Sequence, residues 1–176
     1  MGKTYIGIDV GKLGAIAIIR PSGEIDTYKM PMIKTELDYH GLGRLIREEC
    51  EATSTEEGVH ISFEKLGVIF GTSKQTAWSM GEQSGAIEMI CICQGIPYTK
   101  VRAIDWQKTI YQGLTEITKP SKTGKRPVRD TKAMALMAIK RLFPEQKLTF
   151  GVVATKPNEG LIDAVLIAEY ARRNNF

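Results

Sequence analysis

Apolar and polar positions along the chain change their period from segment to segment. TYIGIDVG and GAIAIIRP are runs of small and β-branched apolar residues separated by GKLG, and EIDTYKM follows after the turn PSG. Three strands joined by such short turns predict an antiparallel meander. Helical spacing then takes over. Leu37, Leu42, Leu45, Ile46 and Cys50 recur on one face and predict a helix over 35–52, ended by the polar TSTEEG. In VHISFEK, Val59, Ile61 and Phe63 alternate with His60, Ser62 and Glu64, the pattern of a fourth strand.

The second half is mostly helical. KQTAWSMGEQSGAIEMICICQG predicts a long helix closed by Gly95, whose small residues would let another backbone approach and so favour a central position. IPYTKVR is a fifth strand and AIDWQKTIYQGL a short helix. TKAMALMAIKRLFP is a helix stopped before Pro144, and NEGLIDAVLIAEYARR a last helix with Asn158 as its N-cap and basic residues in its final turn. The expectation is an α/β fold in one domain, residues 1–176: a five-stranded mixed sheet, three antiparallel strands and then parallel ones, flanked by helices.

Composition narrows the class. A chain of 176 residues with 43% hydrophobic content can bury one proper core. No stretch of about 18 uncharged apolar residues and no signal-peptide pattern is present, so a soluble, cytoplasmic protein with no membrane partner is expected. Cys50, Cys91 and Cys93 form no CxxC pair and read as reduced core residues. His40 and His60 lack ligand spacing, which argues against a zinc site or a histidine-based nucleophile. The net charge of +4 is uneven: Lys119, Lys122, Lys125, Arg126, Arg129 and Lys132 against Asp130 put +5 into one Pro- and Gly-containing segment. Such a cluster suits a phosphate backbone, although a solvated loop would look the same.

Carboxylates in apolar surroundings carry the candidate chemistry. Asp9 interrupts the first apolar run, in a strand that should be central, where an unpaired ion costs several kcal/mol, on the order of what a small domain has to spare. Glu64 ends the fourth strand beside it. Glu159 and Asp163, four residues apart, share a face of the last helix. Each has a plainer reading: Asp9 as a turn residue, Glu64 as a strand-end charge, Glu159 as a first-turn acid. Asp163 is harder to dismiss, because the helix around it is otherwise apolar from Leu161 to Ala168. Four oxygen donors without His or Cys would select a hard divalent cation, Mg²⁺ or Mn²⁺. Two such ions about 4 Å apart would clamp an in-line phosphoryl displacement.

GIDVG on the first strand, SFEK on the fourth and NEGLIDAVLIAEY on the last helix resemble the RuvC-like Holliday junction resolvases of the ribonuclease H-like superfamily, particularly their phage and poxvirus-type branch. The layout of VRAIDWQKTI and TKAMALMAIKRLFP is similar too, so the resemblance spans nearly the whole chain. It implies a metal-dependent endonuclease that acts as a homodimer on four-way DNA junctions, nicking two symmetric strands to leave 5′-phosphate and 3′-hydroxyl ends. On that resemblance Asp9, Glu64 and Asp163 match catalytic metal ligands and Glu159 an acidic position one turn earlier. The bacterial pattern instead has its extra acid where this chain has Gly160.

The resemblance also implies that Lys132 orients water or steadies the transition-state phosphate, against a plainer role in backbone contact. Phe70 is either the aromatic that wedges into the junction or a core residue. Lys74, Lys100 and Arg102 join the basic segment as candidate DNA contacts, and the helix from Gln75 to Cys93 is the expected dimer axis. Two other readings stay open: a ribonuclease H proper acting on RNA/DNA hybrids, and a non-catalytic branched-DNA-binding module. An actin-like or sugar-kinase ATPase would need a second, duplicated domain that this length does not hold.

Overall fold

A computed structural model of the chain describes residues 2–53, 58–67, 73–121, 124, 126–151 and 153–176. The expected meander is present as β1 (Thr4–Ile8), β2 (Ala15–Ile19) and β3 (Ile25–Lys29). A two-stranded ribbon, β4 (Met32–Ile33) and β5 (Glu36–Leu37), leads into α1 (Tyr39–Ala52). Then come β6 (Val59–Glu64), α2 (Lys74–Cys93), β7 (Tyr98–Val101) and α3 (Ala103–Ile110). A second ribbon, β8 (Thr118–Lys119) and β9 (Val128–Arg129), precedes α4 (Thr131–Leu142) and α5 (Glu159–Arg173).

The main sheet has the order β3-β2-β1-β6-β7, with β1 central, antiparallel to β2 and parallel to β6, and β6 parallel to β7. Its two faces carry different residue sizes. Ile6, Ile8, Ile16, Ile18, Ile61 and Phe63 point toward α1 and α2, where they meet Leu42, Ile46, Ile87 and Cys91. The opposite face of β1 and β2 holds Gly7, Ala15 and Ala17, and α5 lies on it with its own alanines. A Cβ on Gly7 would stand 2.1 Å from the Ala164 carbonyl oxygen, so only glycine admits the helix at this depth. Small residues here set how close α5 comes to the strand ends.

Several expectations change. Leu37 belongs to β5 rather than to a helix, because Asp38 caps α1 by accepting from the Gly41 N–H at 2.8 Å and so fixes the start at Tyr39. In β6, residues 60–63 are all buried despite the alternation, since helices cover both faces. The long helix α2 is less central than its small residues implied: its buried stripe is Gln83, Ile87 and Cys91, and Met89 and Ile92 on the other side are each 54% exposed. Cys91 alone of the cysteines is buried; Cys50 is half-buried and Cys93 exposed, all as free thiols. The basic segment contains the β8–β9 ribbon, which short polar strands did not announce. Among the described residues no helix is long and apolar enough to cross a membrane.

Candidate active site

Asp9 does not lie inside the strand, as the apolar run suggested, but one residue past the end of β1. Its N–H still donates to the Ala15 carbonyl at 3.0 Å, which holds its backbone rigid. The β1–β6 register ends at the pair Ile8 and Phe63, so the next residues on the two parallel strands are Asp9 and Glu64. Period-two alternation turns both toward α5. The Asn158 cap, whose Oδ1 accepts from the Leu161 N–H at 2.8 Å, starts α5 so that Asp163 comes one turn later over the same strand ends.

The three carboxyls lie near enough for their charges to act on one another. Asp9 is pushed up to about 8, first by burial and then by the charges of Asp163 and Glu64. Asp163 is pushed up to about 7 by burial, then by Glu64 and Glu159, with Lys132 opposing. Burial raises Glu64. Among the described residues, none of the three forms an ion pair, whereas Glu159 pairs with Lys132 at 2.6 Å on the exposed rim. That partner lifts Lys132 further above the usual lysine range. Among the described residues no three acidic, His or Cys side chains already stand in an ion-caging arrangement. A hard cation is the species whose charge would suit such oxygen donors.

Gly160 explains the departure from the bacterial pattern. A Cβ there would lie 2.5 Å from the Leu13 carbonyl oxygen and 2.9 Å from Asp9 Oδ2. No side chain fits at that position, and Glu159, one residue earlier, stands on the rim.

The site opens into a cleft of about 1100 Å³ between the β1–β2 turn, the start of α5 and the first turns of α2. The basic residues are distributed around the molecule. Lys74 is exposed at the start of α2, and Arg126 is exposed in the basic segment. Lys119 pairs with Asp130 at 3.2 Å and Arg129 with Glu116 at 2.8 Å across the β8–β9 ribbon. Arg102 forks onto Asp105 at 2.7 and 2.8 Å. Lys100 lies opposite Phe63 in the register, hence on the other face of the sheet from Glu64, where it pairs with Glu88 of α2. Phe70, Lys122 and Lys125 lie outside the described residues.

Sequence reasoning missed the wall that α2 gives this cleft, formed by Trp78, Ser79 and Gln83. The signal was available: Gln83 sits in the stripe that continues as Ile87 and Cys91, a polar break at a core position.

No protein-family model matches the chain, and no curated protein matches it either. Among solved structures it is similar to RuvC of Thermus thermophilus in complex with a Holliday junction substrate, at 14% identity and a TM-score of 0.56, covering 98% of this chain and 96% of that one. A second RuvC structure from Thermus thermophilus gives 16% identity and a TM-score of 0.57 with the same coverage. Identity this low speaks to shape alone, and in shape the chain has the ribonuclease H-like fold of RuvC.

Proposed function

We propose that the protein is a metal-dependent endonuclease that resolves four-way DNA junctions by paired symmetric nicks, leaving 5′-phosphate and 3′-hydroxyl ends. The observation that carries this reading is the trio Asp9, Glu64 and Asp163, half-buried within reach of one another's charge and with no cation paired to them among the described residues, Asp9 and Asp163 lining an open cleft. Retaining such charges in a fold is costly unless something outside the chain pairs with them. Asp9, Glu64 and Asp163, with Glu159 on the rim, would hold Mg²⁺ or Mn²⁺, most simply as two ions. When bound, these ions supply a nucleophile at neutral pH and charge neutralisation at the phosphate.

The chain's own residues do the rest. The β1 and β6 ends fix two carboxylates on a rigid sheet, and α5 carries the third at a depth set by Gly7. Lys132, already beside Glu159, is placed to meet the non-bridging oxygens of a phosphate entering from the rim. The similar RuvC structure is of a complex with a Holliday junction substrate, which supports branched DNA as the partner here. Gly160 leaves no room for the bacterial acid, and a place in the phage and poxvirus-type branch is part of this proposal.

A homodimer would deliver two such sites to two symmetric strands. The outer side of α2 supports it: Met89 and Ile92 are exposed there, and a Cβ on Gly81 or Gly85 would meet nothing within 4 Å among the described residues. A second helix approaching closely would use those glycines.

The test is incubation of the purified protein with a synthetic four-way junction, linear duplex and RNA/DNA hybrid, each with Mg²⁺, Mn²⁺ or EDTA. Paired nicks in the junction alone, lost in Asp9→Asn and in EDTA, are expected. Cleavage of the hybrid alone would make the protein a ribonuclease H, and binding without cleavage would make it a junction-binding module.

A further inference from the structure

α2 turns one stripe toward the sheet, and that stripe changes character along its length. Ile87 and Cys91 are fully buried in the same apolar cluster as Ile8, Ile61 and Phe63. One turn nearer the N-terminus the stripe carries Gln83, only 3% exposed, and one turn further Ser79. There the helix has passed the end of the sheet and lines the cleft that holds Asp9 and Asp163. Gln83 Nε2 donates to Ser79 Oγ at 3.1 Å, while among the described residues its Oε1 has no hydrogen-bond partner. A buried amide oxygen without a donor forfeits its hydration, so packing alone would favour Leu or Ile at this position. Trp78, 75% exposed, lines the same cleft.

We infer that this half of α2 is a base-reading wall, in which Gln83 accepts a hydrogen bond from an unpaired nucleobase beside the scissile phosphate and Trp78 gives that base a stacking surface. The inference rests on the nuclease reading of the site. Ser79 holds the amide nitrogen, so the free end of Gln83 is an acceptor. Gln83 lines the cleft itself, which puts that acceptor within reach of a base seated there. An acceptor takes a hydrogen bond from the exocyclic amino group of adenine, cytosine or guanine or from the imino N–H of an unpaired thymine, but not from N3-methylthymine, which has no N–H. Stacking tolerates every base, so Trp78 contributes affinity and Gln83 contributes choice.

The test uses the full chain and four-way junctions in which the nucleotide at the cut is thymine or N3-methylthymine. The wild type should cut the thymine junction about 5-fold or more faster than the N3-methylthymine junction. Gln83→Leu should flatten that difference while still cutting the thymine junction. Trp78→Ala should raise KM for both alike, and Trp78→Phe should restore it. A wild type indifferent to the base, or a Gln83→Leu enzyme that keeps the wild-type preference, overturns the inference and leaves the nuclease reading standing. Failure of the wild type to cut any junction overturns the nuclease reading itself. If Gln83→Leu does not fold, 2-aminopurine at the cut site reports instead, in metal-free complexes: quenching by the wild type that Trp78→Ala abolishes is expected, and fluorescence unchanged on binding overturns the wall.

Discussion

Helix α5 carries two acids that point inward, and the chain treats them in opposite ways. Glu169 is 1% exposed, yet Arg172 and Arg173, three and four residues on, close over it at 2.7 and 2.8 Å. On the other face of the sheet Glu49 is likewise answered by Arg20 and Tyr28, both at 2.7 Å. Asp163, six residues before Glu169, is acted on by the charge of Glu64 and has no cation paired to it among the described residues, and Lys132 is engaged one step away by Glu159. Counter-charges for Glu169 and Glu49, and none for Asp163 among the described residues, are the contrast on which the proposed cation-binding edge rests.

The comparison breaks most decisively by neutralising each acid in turn. Asp163→Asn should cut junction cleavage by about 1,000-fold or more, and it should raise the melting temperature of the metal-free protein at pH 8, because it removes a repelled charge. Glu169→Gln should do the reverse. It strands two arginines, costs about 1–3 kcal/mol of stability in urea unfolding, and leaves the cleavage rate of the folded fraction within a few-fold. Equal losses of activity in both variants would erase the distinction.

Gly160→Ala probes the same edge sterically. Its methyl would press on the Leu13 carbonyl and Asp9 Oδ2, so the β1–β2 turn and the helix start must separate. Cleavage should fall by about 10- to 100-fold with a loss of about 1–3 kcal/mol in stability. Kinetics and denaturation on one preparation check both.

The metal-free protein should also show the distinction in its pH dependence. Unfolded aspartates titrate near 4, whereas Asp9 and Asp163 in the fold are raised to about 8 and about 7. The folded state therefore binds more protons between those values. The contribution of these two carboxyls to stability is fully present below about pH 4, falls as pH rises, and has lost about 2 kcal/mol or more above pH 8. Saturating Mg²⁺ should restore it. His60, held down to about 4 by burial and then by Lys3, acts in the other sense: stability is lost as pH falls from about 6.5 toward 4. Melting curves from pH 5 to 9, with and without Mg²⁺, separate the two limbs, and a flat alkaline limb would mean that the carboxyls do not share a site.

How much of this was legible in the sequence follows from how local each signal is. The meander, β6, α5 and the trio of acids were readable because apolar runs make a lone Asp conspicuous and because cap and period agree at Asn158 and Asp163. Leu37 was misplaced, since its apolar spacing fits a helix while the cap that overrules it, Asp38, acts through one hydrogen bond. Lys100 looked like a phosphate contact because charge alone does not tell which face of a strand a side chain takes; the β6–β7 register does. Gly160 read as a missing acid, and only the approach of the Leu13 carbonyl shows that no side chain can stand there.

Two lysines offer the finest version of the comparison. Lys132 stands on the rim of the acidic edge, and Lys100 stands on the far face with Glu88 and over the Phe63 ring at 5.9 Å. Lys132→Met should lower cleavage by about 10- to 100-fold, mostly in kcat if it meets the phosphate in the transition state. Lys100→Met should change cleavage less than about 3-fold and stability by less than about 1 kcal/mol, since a half-exposed ion pair contributes little. Matched single-turnover assays on one junction would show the two lysines diverging. A large loss from Lys100→Met would instead bring DNA onto the face of α1 and α2, and the assignment of the acidic edge as the place where strands are cut would have to share its substrate with that surface.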